Sequence, residues 1–428
     1  MNKSNCFYWV VFAFLFGLMS PVYGDSLNVR SIGSYQFPSI GWNVFALNNY
    51  VYIAADSTGL RIYDVSNPAL PVEVGKWRTN GDAEHVFVNN NLAYVACAYP
   101  SGLQIINVSD PHRPAQVGWC PITGTAMNTY VCDTLAYVAA YDEGLRIINV
   151  ADPTLPKEAG YCAFGGNSWW CVVSGDYAYV ASDDIHGFGF HIIDVSDPVS
   201  PWVTSSCHTG NSTGVVVSGE YAYTASAEDG LNIINISDAS APVIVGSYNT
   251  PDCAMCLAIE GSMAYIADLT SVQVIDISDP LIPLLAGYYT FPIGNFGIDI
   301  ENGYIFTPGS TISLQIFEYY GPEGIGSQPQ NCSNTNITKI SLKCSPNPFY
   351  SQLQAVFNLD QEAEVKLEIF NLIGQKVSVN NYGKMSAGKH EIRYQLSNSN
   401  EGQMPNGVYM LRLTAGASTA MTKVIKFN

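Results

Sequence analysis

The chain has 428 residues, of which 13% are charged and 27 are tyrosines, and its formal net charge is −18. A sparsely charged, tyrosine-rich chain of this length suits an extracellular β-rich protein better than a cytosolic enzyme, and it exceeds one ordinary domain unless the fold is a repeat array or a large all-β body. The charge is uneven: residues 25–330 hold 30 Asp+Glu against 7 Lys+Arg, and residues 331–428 hold 6 against 10, which implies two domains and excludes nucleic acid as a partner of the larger one.

The first element is a leader. One charge, Lys3, precedes an apolar stretch from Phe7 to Met19 and then Ser-Pro-Val-Tyr-Gly, the pattern of a secretory signal peptide over residues 1–24 with the mature chain starting near Asp25. About 13 apolar residues are too few to cross a bilayer, and no later stretch reaches roughly 18, so the mature chain is expected to lack a transmembrane segment.

A phrase then recurs: GLRIYDV from Gly59, GLQIINV from Gly102, GLRIINV from Gly144, GFHIIDV from Gly189, GLNIINI from Gly230, SVQVIDI from Ser271 and SLQIFEY from Ser313, at intervals of 43, 42, 45, 41, 41 and 42 residues. A period near 42 is that of a four-stranded propeller blade. The first unit reads as strands from Asn43, Tyr50, Leu60 and Pro71, joined by turn residues such as Asn-Asn and Ser-Asn-Pro. The seventh unit has no fourth strand, whereas residues 27–35 (LNVRSIGSY) match the fourth-strand phrases VIVGSY and LLAGYY. Pairing that segment with the last unit closes a ring of seven blades and leaves no open edge.

The Asp-Pro that follows four of the seven phrases reads as a turn: Asp110, Asp152, Asp197 and Asp279 precede prolines, an arrangement in which a short acceptor caps the turn and Pro sets its φ. At the sixth strand position Asp64, Asp194 and Asp276 alternate with Asn107, Asn149 and Asn235, so a role that needs negative charge there is not expected.

These units resemble the LVIVD-repeat family over residues 27–321, a resemblance that implies a β-propeller on a microbial surface and brings no catalytic residues with it. The tail resembles a second family. SPNPF (345–349), VKLEIFNLIGQKV (365–377), AGKHEI (387–392), NGVYMLRL (406–413) and TKVIKF (422–427) look like a type A C-terminal sorting domain of the type IX secretion system, over residues 339–428 after a polar linker at 322–338. That resemblance implies a small β-sandwich handled by the type IX machinery, with the cargo left at the outer surface of a Gram-negative bacterium of the Bacteroidota or free outside it; an Ig-like adhesive module is the alternative. Among the cysteines, Cys253 and Cys256 read as a buried thiol pair or a local disulfide, and Cys162 with Cys171 and Cys332 with Cys344 as disulfide candidates.

In a meander of this kind the loops after the second and fourth strands emerge on one face, and there the copies differ. The first strands begin with Trp42, Glu84-His85, Met127-Asn128, Trp169-Trp170, Thr213-Gly214, Met255-Cys256 and Phe296-Gly297. The residues expected to contact a ligand are Trp42, His85, Trp169, Trp170, Phe296, Tyr141, Asp142, Asp183 and Asp184. Aromatic faces beside carboxylates suit a glycan, and an acidic rim suits a basic protein segment. The plainer reading is that the tryptophans fill the channel mouth and the acids keep the surface solvated. No cofactor is expected: the histidines have no metal-ligand spacing, and the Asp-rich loops lack the DxDxDG pattern, although they could hold calcium. The sequence therefore points to an exported all-β propeller that binds a surface glycan or protein without chemistry of its own, with a carbohydrate-active enzyme and a structural surface-layer component as alternatives.

Overall fold

The computed structural model describes residues 26–37, 39–98, 100, 102–184, 187–291, 294–309, 314–321, 342–345, 352–359, 361–370, 376–395, 407–415 and 418–426. The expected leader, the linker and Cys332 lie outside them. Every regular element among the described residues is a strand. The chain divides into two compact units between Tyr319 and Tyr320.

The first unit is a ring of seven antiparallel sheets, each running in order from its first strand to its fourth. Blade 1 is Asn43–Leu47, Tyr50–Ala54, Leu60–Asp64 and Val72–Trp77, and blade 4 is Asn167–Ser174, Tyr177–Asp183, Phe190–Asp194 and Trp202–Cys207. Asn48 and Asn49 take φ of 56° and 64°, the left-handed pair that a two-residue hairpin turn requires and that Asn tolerates best after Gly. Third strands are buried on both faces: Leu60, Arg61, Ile62 and Tyr63 are all buried. The core is accordingly a set of wedges, one between each pair of neighbouring blades; Leu60 and Ile62 of blade 1, for example, pack on Val86 and Val95 of blade 2. Each such Leu or Ile contributes about 1.5–3 kcal/mol on burial.

The ring closes as the sequence leads one to expect. Val29–Tyr35 forms the outer strand of the last blade, pairing Val29 with Tyr319 and Tyr35 with Leu314, and Arg30 binds Glu318 across that pair. Ser26–Leu27 continues onto the outer edge of blade 6. Where the last blade meets blade 1, Asp299 Oδ2 accepts the Ala46 N–H at 2.7 Å and Glu301 accepts the N–H groups of Asn48 and Asn49.

The repeated phrase makes the joints. Asp64 and Asn107, at the sixth strand position, each accept the N–H two residues on, from Ser66 and Ser109 at 2.8 and 2.9 Å, so acid and amide do the same work. Asp110, Asp152, Asp197 and Asp279 cap their turns in the same way. The carbonyl of the proline after that Asp, or after Asn67 in blade 1, then meets a glycine of the preceding blade. A Cβ on Gly33, Gly75, Gly118, Gly160 or Gly246 would lie within 1.9–2.2 Å of the oxygen of Pro68, Pro111, Pro153, Pro198 or Pro280. Glycine is required there by close approach rather than by an unusual dihedral.

Two cysteine readings need correction. Cys162 and Cys171 are both free thiols; the first lies on the outer strand of blade 3 and the second on the inner strand of blade 4, which are opposite ends of the radial wedge. The Cys253–Cys256 pair is not a local disulfide either, because Cys256 is a free thiol turned into the wedge between blades 6 and 7 while Cys253 is disulfide-bonded.

In the second unit, a three-stranded sheet containing Gln352–Leu359 and Gly388–Gln395 and a four-stranded sheet containing Ala363–Phe370 and Gly407–Ala415 share one core, in which Phe357 and Ile392 from the first meet Leu367 and Leu411 from the second. This is a small β-sandwich. On the other face of the larger sheet, Glu368 is buried and accepts two hydrogen bonds from the Arg412 guanidinium.

Candidate functional site

The face with the variable loops is built by a recurring splice. The loop after a second strand pairs with the start of the next blade: Asp56 with Ala83, Tyr141 with Ser168 and Ala227 with Ala254. Asp56 and Ala83 exchange both backbone bonds, at 3.1 and 3.0 Å. The splice holds Asp56 and Tyr141 each at φ 47°, a left-handed conformation that costs a bulky residue such as Tyr about 1 kcal/mol or more and that gathers at functional loops.

Seven of the nine expected residues fall into three groups, and Asp183 and Asp184 stand apart from them. Trp42 donates its indole N–H to Asp56 Oδ1 at 3.4 Å and lies 4.8 Å from the Phe296 ring. Trp169 stands nearly edge-on to Tyr141, 4.8 Å between centroids and 74° between planes, with Asp142 exposed beside it. Both tryptophans are partly exposed. The third group is axial: His85 of blade 2 meets Trp170 of blade 4 at 4.6 Å and 89°. Asp183 ends the second strand of blade 4 opposite Asn167, and Asp184 Oδ1 accepts the Phe188 N–H at 3.0 Å. The structure thus brings the expected residues to one face but in separate clusters.

His85 is 5% exposed, its Nδ1 accepts the Thr129 N–H at 3.4 Å, and burial pushes its pKa down to about 3. Asn43 and Asn128, at the equivalent position, accept the N–H of Val86 and of Cys171. These side chains satisfy the free inner edge of the next blade, which is why the position is polar in blades 1 to 3.

Glu84 was legible as an innermost position but is not among the nine. Burial, then the charges of Asp56 and Asp82, push its carboxyl up to about 8, and Asp82 is itself raised by burial and by Asp56. The hint in the sequence is that one acid follows the second strand of blade 1, at 56, and two more open the first strand of blade 2, at 82 and 84. A carboxyl that keeps its proton at neutral pH beside other acids can donate a hydrogen bond or a proton. Among the described residues, no three His, Cys, Asp or Glu side chains are grouped as a metal would require, and no helix is long and apolar enough to cross a membrane.

Residues 40–79, 80–121, 123–163, 165–209, 209–250 and 253–290 each match the profile of the LVIVD repeat, and residues 343–427 match that of the secretion system C-terminal sorting domain. No curated protein matches the chain. Among solved structures it is similar to the WD40 β-propeller domain of Doa1, at 12% identity and a TM-score of 0.57 over 68% of this chain and 96% of that one. It is likewise similar to the Cps50 (Swd1) β-propeller domain of Myceliophteria thermophila, at 8% identity and a TM-score of 0.55 over 68% and 99%, and to the designed protein Ika8, at 8% and 0.52 over 68% and 99%. At such identities the likeness concerns the fold alone.

Proposed function

For a chain that belongs to the LVIVD-repeat family, we propose a role as an exported binding module whose ligand site is the variable-loop face of the propeller. The sorting domain marks the protein for export to the cell surface or beyond. With it we propose the division 1–24 leader, 25–321 propeller, 322–338 linker and 339–428 sorting domain, in a member of the Bacteroidota. One observation carries the binding role. Two partly exposed tryptophans, Trp42 and Trp169, each stand against an aromatic ring, of Phe296 and of Tyr141, with the carboxylate of Asp56 on the first indole and exposed Asp142 following Tyr141. Rigid indole faces next to acceptors suit a sugar ring that stacks and donates its hydroxyls.

The test is a glycan-array screen of the full secreted chain, with and without calcium. Specific binding that weakens at least tenfold in Trp169→Ala supports the role; an array with no hit in either condition overturns a glycan ligand and leaves a protein partner or self-association. A second reading, a carbohydrate-active enzyme, is favoured by Glu84 alone, whose retained proton is what a general acid needs beside a second acid such as Asp56. Hydrolysis of any polysaccharide that is lost in Glu84→Gln with binding retained would establish it.

A further inference from the structure

The indole of Trp170 reaches much further than its position on blade 4 suggests. It meets His85 of blade 2 edge-on, packs on the wedge between blades 4 and 5, and also packs on the wedge between blades 6 and 7 that contains Cys256 and Ile298. A side chain that touches blades on opposite sides of a seven-fold ring lies across its axis. The equivalent positions explain how it fits. Blades 1 to 3 carry Asn43, His85 and Asn128, each turned onto the neighbouring backbone, whereas blades 5 to 7 carry the small residues Gly214, Cys256 and Gly297, none of which is long enough to reach across the axis against the indole.

We propose that Trp170 is an axial plug: it reaches from blade 4 to the wedge between blades 6 and 7, divides the central channel, and makes the variable face a blind site. This rests on the binding role proposed above only in its consequence for the ligand. A blind site accepts a chain end or a single projecting group and cannot accept a polymer threaded through the ring, so the ligand class is a terminal sugar.

The plug can be tested without any ligand. In the full chain, Trp170→Gly should lower the melting temperature by roughly 10 °C, and free indole should restore a saturable part of the loss, as apolar molecules enter dry engineered cavities; Trp169→Gly, one residue away, should show no recovery with indole. Absence of recovery in Trp170→Gly overturns the plug. Should that variant not fold, the pair Trp170→Leu and Cys256→Leu decides: Cys256→Leu should lower the melting temperature beside the native indole and raise it in the background of the Trp170→Leu change, and strict additivity overturns the proposal. The ligand consequence is read from the array separately. Hits that share a terminal unit support it, hits that share only an internal unit overturn it, and an array without hits sinks the glycan ligand while leaving the plug to the thermal experiment.

Discussion

Ser205 donates a 2.6 Å hydrogen bond from its hydroxyl to the carbonyl oxygen of Ala239, at the joint between blades 4 and 5. At five of the other six joints a glycine faces the oxygen of a proline, and between blades 6 and 7 Gly287 faces that of Leu27; here glycine and proline are replaced together, and a hydroxyl takes up the space the missing close approach would leave. The joint thus has two self-consistent solutions, and they should not mix. Ser205→Ala removes the donor and is expected to cost about 1 kcal/mol, whereas Gly75→Ala or Gly160→Ala forces a Cβ into a carbonyl and is expected to cost about 1–3 kcal/mol. Urea unfolding of the three variants checks this; glycine variants as stable as the native chain would refute the packing role.

Blades 1 and 3 tie the third strand to the fourth with Arg61–Glu73 and Arg146–Glu158, and blade 2 does so with Gln104–Gln116, always twelve residues apart. Glu73→Gln leaves the nearly inaccessible Arg61 guanidinium without its carboxylate and is expected to destabilise by roughly 3 kcal/mol. The double change Arg61→Gln with Glu73→Gln copies blade 2 and should recover most of that loss. A double variant no better than the single one would show that the pairs are not interchangeable.

The carboxyls of Asp299 and Glu84 are raised, chiefly by burial, to about 7 and about 8. Each holds a proton in the folded chain that the unfolded chain releases near its ordinary value, so each makes stability fall as pH rises from about 4 toward its folded value. His85 and His191, lowered by burial to about 3 and about 4, act in the opposite sense below about 6.5. The window from about 6.5 to 8 therefore isolates the acids. There the melting temperature of the native chain should fall with rising pH, and Asp299→Asn with Glu84→Gln should flatten the fall; an unchanged slope would contradict the assignment.

Seven described cysteines are free thiols. Burial raises Cys97 and Cys256 to about 12 and raises Cys171 as well, so these should stay unreactive toward a thiol reagent at about pH 8 until denaturant is added. Half-buried Cys132 and Cys207 should react first, though slowly, because their thiols are raised too. Mass spectrometry of partly labelled protein gives the order, and early labelling of Cys171 would be inconsistent with the fold.

What a sequence reader can see here is whatever repeats. The period, the strand pattern, the capping by Asp or Asn, and the strand at residues 29–35 that completes the last blade all follow from comparing copies of one unit. The joint at Ser205 and Ala239 and the twelve-residue pairs lay open to the same comparison, as paired departures from the repeat. The meeting of His85 with Trp170 did not, because it joins two blades that are not neighbours and no spacing along the chain encodes a contact across an axis. The state of Glu84 was hidden for a related reason: it depends on how close two other acids come and on how little water reaches them.

The pairing of Arg30 with Glu318 spans 288 positions of the chain, and this sets an order of events. The strand synthesised first is the last to find its place, since the sheet it completes exists only once residues 314–319 have been made. Contacts of such long range form late, so the polypeptide stays an open, curved stack of blades until its whole repeat region is available.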